Sequence, residues 1–179
     1  LGMMSDLRSN FSVVNEIFQE ASDAINLDLW KIVNEDQDLL NLTENTQPVM
    51  LAAGYATYKV LAGEVNLTPT SIAGHSLGEY TALVASGSLS FFDAAQLVRK
   101  RAKLMQAAVP NGFGSMAAIL GLGDEEVVKI CANANKKGTV EAVNFNSPGQ
   151  VVIAGEKEAC LLYTSDAADD LLCVDLGGR

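Results

Sequence analysis

Basic residues are scarce in this chain. Twelve lysines and arginines stand against 22 aspartates and glutamates, a formal net charge of −10 over 179 residues. That balance argues against nucleic acid as a partner, because a phosphate backbone needs a basic surface. It argues equally against an anionic membrane surface. Long apolar runs are missing too: nothing approaches the roughly 20 uninterrupted residues of a membrane span. The three cysteines, Cys131, Cys160 and Cys173, are odd in number and scattered. They offer neither a disulfide framework nor metal-ligand spacing, so reduced thiols, no metal and a cytoplasmic location are expected. Histidine occurs once, at His75. Internal repeats are absent, and so are low-complexity stretches outside the last twenty residues.

What is present is ordinary globular composition, 49% hydrophobic and 19% charged. It suffices for one domain with a core, or for part of something larger. Leu1-Gly2-Met3-Met4 is soon followed by Asp6, Asn10 and Glu16, so no signal peptide is expected there, and the true start is expected upstream. At the other end, Cys160-Leu161-Leu162-Tyr163-Thr164-Ser165-Asp166-Ala167-Ala168-Asp169 and Cys173-Val174-Asp175-Leu176-Gly177-Gly178-Arg179 read like a translated sequencing-library adaptor. A non-native tail is therefore expected over 160–179, with natural sequence ending near Ala159.

Residues 12–18 begin an amphipathic helix with Val13, Val14, Ile17 and Phe18 on one side. A short helix is expected over 27–33, and residues 41–47 are polar and turn-like. Thr46 fits an N-cap ahead of Pro48. Met50, Ala53, Gly54, Thr57, Val60 and Leu61 then recur at helical spacing, to an end near Gly63. Residues 70–74 read as a short buried strand and 79–86 as a helix stopped by Gly87. Ser90 and Asp93 resemble a capping box opening a long helix to about Ala108. After Pro110-Asn111-Gly112, residues 115–120 are strand-like, 124–133 helical, and 140–145 and 150–154 strand-like. This βαββ order resembles a ferredoxin-like unit cut before its last helix and strand. The fold class is α/β.

Gly74-His75-Ser76-Leu77-Gly78 has the Gly-x-Ser-x-Gly form of a nucleophile elbow, with a predicted strand before it and a predicted helix after it. Small residues at 74 and 78 let strand and helix approach, raising Ser76 where a substrate reaches it. Leu77 N–H, at the helix start, can point at a developing oxyanion, a donor worth roughly 3–4 kcal/mol. A structural turn is the alternative. His75 neighbours Ser76 but points to the other face of a strand, which suits it badly as a base. It is read as a packing or hydrogen-bonding residue beside the pocket, and no general base is legible in the chain.

Placed at 100° per residue, the helix from Asp93 to Met105 carries Ala94, Leu97, Val98, Ala102, Leu104 and Met105 on an apolar face. Arg99, Lys100 and Lys103 fall on the polar surface. Arg101 falls within the apolar face, where an unpaired guanidinium is costly. Two readings stay open on residues alone: an arginine that snorkels or pairs with a structural carboxylate, or a fork for a substrate carboxylate.

Gly74-His75-Ser76-Leu77-Gly78-Glu79-Tyr80, then Arg101, then Asn144-Phe145-Asn146-Ser147-Pro148-Gly149-Gln150 closely resemble the malonyl-CoA:acyl carrier protein transacylases of bacterial fatty acid synthesis. Thr46-Gln47-Pro48 and Gly114-Ser115-Met116-Ala117-Ala118 match that family as well. The resemblance covers residues 1–159. It implies a ping-pong transfer from malonyl-CoA to acyl carrier protein by way of Ser76, with Arg101 on the malonyl carboxylate and Leu77 supplying one oxyanion N–H. Gln47, Met116 and Asn146 are implied near the pocket, with His75 beside it. Also implied are a hydrolase-like parallel-sheet core within residues 1–112 and an inserted ferredoxin-like unit within 113–159, both incomplete. No bound cofactor is expected, and the full-length protein is expected to be a monomer.

The family's Gly-Gln-Gly-Ser-Gln loop, which supplies the second oxyanion N–H, should lie before Leu1. Its catalytic histidine should lie beyond Ala159. The chain as written is therefore expected to lack transacylase activity. Competing readings are an acyltransferase domain of a polyketide synthase, a serine esterase of the α/β-hydrolase class with no need of Arg101, and a non-catalytic binder of acyl carrier protein or acyl-CoA.

Overall fold

Apolar residues at helical spacing dominate the first hundred positions, and there the structure, a computed structural model, is helical. It describes residues 1–110, 112–135, 138–166 and 173–175, and the chain divides into two units, Leu1–Met105 and Gln106–Arg179. Helices α1 (Ser5–Asn10), α2 (Ser12–Ile25), α3 (Leu29–Glu35), α4 (Gln37–Asn41), α5 (Thr43–Val65), α6 (Leu77–Ala85) and α7 (Phe91–Ala108) follow one another. Val14, Ile17, Phe18, Ala21, Ala24 and Ile25 are the buried stripe of α2. Asn26, at φ 52°, ends that helix in the left-handed conformation.

Asp28 and Asp36 cap α3 and α4, accepting from Lys31 N–H at 2.9 Å and Leu39 N–H at 2.8 Å. Ahead of α7, Ser90 Oγ accepts from Asp93 N–H at 3.1 Å and donates to the Asp93 carboxylate at 2.6 Å. The expected box thus closes side chain to side chain. The core of this unit joins α2, α3, α5, α6 and α7, with Val14, Leu29, Val33, Val49, Leu51 and Val98 fully buried. Each such side chain contributes about 1.5–3 kcal/mol relative to exposure.

Several expectations are corrected here. Most of residues 41–47 is helical: Asn41 ends α4 and α5 starts at Thr43 with Leu42 in the cap position between them, so Thr46 lies inside the first turns. Its hydroxyl lies 3.0 Å from Leu42 O, the backward bonding that a threonine within a helix makes, and 2.5 Å from Leu40 O of α4. The buried part of α5 is Asn45, Gln47, Pro48, Val49, Leu51, Ala52, Ala53 and Ala56, and the helix continues through Gly63 to Val65. Residues 70–74 form no strand. A strand exists only through a ladder to a neighbour, and Leu1–Met105 contains no strand among its described residues.

On α7 the buried residues are Phe91, Ala94, Ala95, Val98 and Ala102, while Leu97, Leu104 and Met105 are exposed. The small residues, not the long ones, face the core. Arg99 is correspondingly half-buried, donating to Ile25 O at 2.6 Å while Gln96 Nε2 donates to Ala24 O at 3.1 Å. Both carbonyls belong to the last turn of α2, which lacks intrahelical donors and carries negative partial charge.

In the second unit the alternation over 114–120 becomes β1 (Gly114–Leu120), with Ala117 and Ile119 buried. There follow α8 (Asp124–Ala134), β2 (Val140–Ser147), β3 (Gln150–Glu156), α9 (Lys157–Asp166) and β4 (Cys173–Asp175). The unit was expected to stop after β3, whereas helix α9 and the short strand β4 follow it. The sheet order is β2-β3-β1-β4, antiparallel at each pairing, with Ala117 opposite Ile153 and Ile119 opposite Val151. Those side chains, with Val140, pack against Val127 and Cys131 of α8 and Ala159 and Cys160 of α9. Burial pushes the Cys131 thiol up, aided by Cys160 and Glu141 nearby, which suits a reduced structural thiol. No parallel strand pair occurs among the described residues. Nor is any of their helices long and apolar enough to cross a membrane.

Candidate active site

Three separated segments meet in the first unit. Gln47 comes from α5, Ser76 from the turn before α6, and Arg101 from α7. The turn has a steric cause. A Cβ on Gly74 would lie 2.0 Å from the carbonyl carbon and oxygen of Gly78 and 2.5 Å from Glu79 N, so the backbone itself fills that space. Gly78 is different: a Cβ there meets nothing within 4 Å. The expectation that both glycines serve the close approach holds for Gly74 alone. Gly74→Ala is expected to destabilise the chain by at least about 3 kcal/mol, since packed backbone must move. Gly78→Ala, inside a helix, is expected to be neutral or to stabilise it by up to about 1 kcal/mol. Urea melting of the two variants checks the contrast, and equal midpoints would refute it.

Ser76 stands at φ 53°, ψ −111° in the cap position of α6, yet its side chain makes no capping bond. A serine there usually turns its oxygen onto the helix amides. The positive φ instead turns Oγ away, at a strain of about 1–3 kcal/mol. Gly78 N–H and Glu79 N–H bond back to His75 O and Ser76 O at 2.9 and 3.3 Å. Leu77 N–H has no partner among the described residues, as a first-turn amide available to an oxyanion should.

Arg101 completes the group. One guanidinium nitrogen donates to Ser76 Oγ at 2.9 Å and another to Gln47 Oε1 at 2.7 Å. The ring of Tyr80, on α6, lies 5.8 Å away. Arg101 is half-buried and Gln47 is 7% exposed. Among the described residues no carboxylate comes within 4.0 Å of Arg101; the ion pair found there joins Lys103 to Glu44 on the surface at 3.6 Å. Of the readings open from sequence, pairing with a structural carboxylate has no counterpart among the described residues. The cation has neutral partners, and two of its five N–H groups are engaged, leaving donors for an incoming anion.

His75 is exposed beside the turn. Met116 and Asn146 belong to the second unit, exposed on β1 and β2. Sequence reasoning named Ser76 and Arg101 from pattern and Gln47 only by resemblance. It missed the direct Ser76–Arg101 bond and the part of Met105, whose sulfur accepts from Gln47 Nε2 at 3.5 Å. A glutamine directly before a helical proline, amid buried apolar residues, is the one local signal that pointed to Gln47.

Residues 2–167 match the acyl transferase domain family. The chain is similar to the malonyl CoA-acyl carrier protein transacylase of Escherichia coli K12, 49% identical over 160 residues, 89% of this chain and 52% of that protein. It is similar in structure to FabD from Acinetobacter baumannii, with a TM-score of 0.92 and 47% identity over 98% of this chain and 57% of that one. A malonyl-transacylase in complex with its type II polyketide acyl carrier protein superposes as well, with a TM-score of 0.92 and 46% identity over 99% of this chain and 58% of the other. The chain thus spans about half the length of the relatives it matches.

Proposed function

The chain belongs to the acyl transferase domain family, and from that premise we propose that the family-length protein moves a malonyl group from malonyl-CoA to the phosphopantetheine thiol of acyl carrier protein. The observation that carries this reading is the carboxylate-free guanidinium of Arg101 at 2.9 Å from Ser76 Oγ. In a malonyl thioester a single methylene separates the carboxylate from the reacting carbonyl. A cation beside the nucleophile therefore selects a short acyl chain with a terminal negative charge, and a neutral acyl group gains nothing from it.

Ser76 Oγ attacks the thioester carbonyl as its proton passes to a base, expected from the family's histidine beyond this chain. The oxyanion rests on Leu77 N–H, and collapse forms the seryl ester while the coenzyme A sulfur leaves with the proton. The carrier-protein thiol then repeats the sequence in reverse. Coenzyme A is substrate here, and no resident cofactor is needed. Gln47 and His75 are read as the remaining surroundings of the pocket in the first unit, and the cytoplasm is the expected setting.

The finer fold belongs to the same reading. The order βαββαβ with sheet order β2-β3-β1-β4 supports a ferredoxin-like unit. The hydrolase-like parallel-sheet core is read as completed by strands from the rest of a family-length chain.

Malonyl transfer to acyl carrier protein, followed by mass spectrometry of both proteins, tests the proposal. The family-length protein is expected to transfer malonyl and to trap it on Ser76. The 179-residue chain alone is expected to transfer at a small fraction of that rate. A family-length protein that hydrolyses neutral esters and ignores malonyl-CoA would establish the esterase reading instead. The alternative of a polyketide-synthase acyltransferase domain shares this chemistry and is decided by which carrier protein is charged.

A further inference from the structure

Arg101 and Met105 sit one turn apart on α7, and the Gln47 side chain spans them. Its oxygen accepts from the Arg101 guanidinium at 2.7 Å and its nitrogen donates to Met105 Sδ at 3.5 Å. The orientation of the amide is forced. A guanidinium only donates, so Oε1 must face it, and the NH₂ is left for the sulfur, a weak acceptor. Gln47 is 7% exposed, with little freedom to let go.

We infer that Gln47 is a positioning residue that sets acyl specificity: a neutral tether that fixes the direction of the Arg101 fork without cancelling its charge. This rests on the reading of Arg101 as the holder of the acyl carboxylate, and it moves Gln47 from touching substrate to acting through the arginine. The reason for an amide lies in the charge. A carboxylate at position 47 would hold the guanidinium at least as firmly, but as an ion pair. An incoming acyl carboxylate would then meet a neutralised pair and a like charge close behind it. An apolar residue would leave the fork untethered, and a misdirected fork forfeits the bidentate geometry that distinguishes arginine from a point charge. Among the described residues the other groups near the guanidinium are the Ser76 hydroxyl and the Tyr80 ring, neither of which neutralises it.

The test uses the family-length protein with malonyl-CoA and acetyl-CoA as paired donors and acyl carrier protein as acceptor. The readout is the ratio of kcat/KM for malonyl to that for acetyl. Gln47→Glu is expected to lower the ratio about 10- to 100-fold, chiefly through the malonyl KM, the scale of a lost charge-assisted bond. Gln47→Met, close in shape but without the acceptor, is expected to lower it about 10-fold. Loss of a merely structural residue would reduce both donors together and leave the ratio in place. Melting temperatures are taken in parallel. If neither Gln47 variant folds, Met105→Leu decides, with an expected fall of a few-fold as the amide loses its second anchor. A ratio within twofold of the unaltered protein in every folded variant overturns the tether while leaving malonyl transfer standing. No malonyl transfer by the unaltered protein overturns the reading beneath it, and the tether with it.

Discussion

Ser76→Ala in the family-length protein is expected to abolish malonyl transfer, a loss of about a million-fold on the scale of serine nucleophiles, with no acyl adduct detectable by mass spectrometry. Everything else at the turn survives that change. Gly74 still packs against Gly78 and Glu79, Leu77 still opens α6, and Arg101 keeps its bond to Gln47. The loss therefore reports Oγ alone. A companion substitution separates chemistry from strain. Residue 76 sits at φ 53°, which disfavours any side chain and suits glycine. Ser76→Gly is thus expected to be as inactive as Ser76→Ala yet more stable than it by about 1 kcal/mol, after the greater unfolded-state freedom of glycine is deducted. A retained acyl adduct in either variant would move the nucleophile elsewhere. Equal stability of the two would mean that the turn stores no strain at this residue.

Arg101→Ala carries the second large effect. Removing the charged partner proposed for the acyl carboxylate is expected to cost about 2–4 kcal/mol, or roughly 30- to 1,000-fold in kcat/KM for malonyl. Acetyl transfer should fall far less, or rise as the vacated space accepts neutral chains. Arg101→Lys restores the charge but not the fork. One ammonium cannot reproduce the simultaneous 2.9 Å and 2.7 Å bonds to Ser76 and Gln47 while presenting a planar edge to a carboxylate, so an intermediate loss of about 10-fold is expected. Paired kinetics with malonyl-CoA and acetyl-CoA measure this directly. An unchanged malonyl-to-acetyl ratio in Arg101→Ala refutes the carboxylate role, and a loss shared equally by both donors reduces Arg101 to a support for the turn.

Much of this was legible in the residues, and the parts that were not share physical causes. Helix α2 was readable because its apolar positions repeat over four turns on one side. Helix α7 was readable in extent but misread in facing. Leucine and methionine outweigh alanine on any hydrophobicity scale, yet Ala94, Ala95 and Ala102 face the core while Leu97, Leu104 and Met105 stay exposed, because close helix packing admits small side chains. Arg99 was misplaced for the same reason, and it donates to the α2 carbonyl of Ile25, more than seventy residues away. The stretch over 70–74 shows the limit from the other side. Its short apolar run and the motif that follows suggested a strand, but its propensity for one is weak, and without a neighbour to ladder with the segment is not one.

Ser76 on its turn and the arginine out of pattern were determined by the sequence itself. Gly-x-Ser-x-Gly between extended and helical segments encodes a local bend, and a charged residue at an apolar helical position is a one-dimensional anomaly. Both are short-range properties of adjacent or periodically spaced residues. Only the tertiary structure decided that these two features address each other. It also decided that Gln47, 54 positions from Arg101, tethers the arginine, and that among the described residues no carboxylate neutralises the cation. Those are facts of distance between segments, set by how α5, α6 and α7 pack around small residues, and no local pattern carries them.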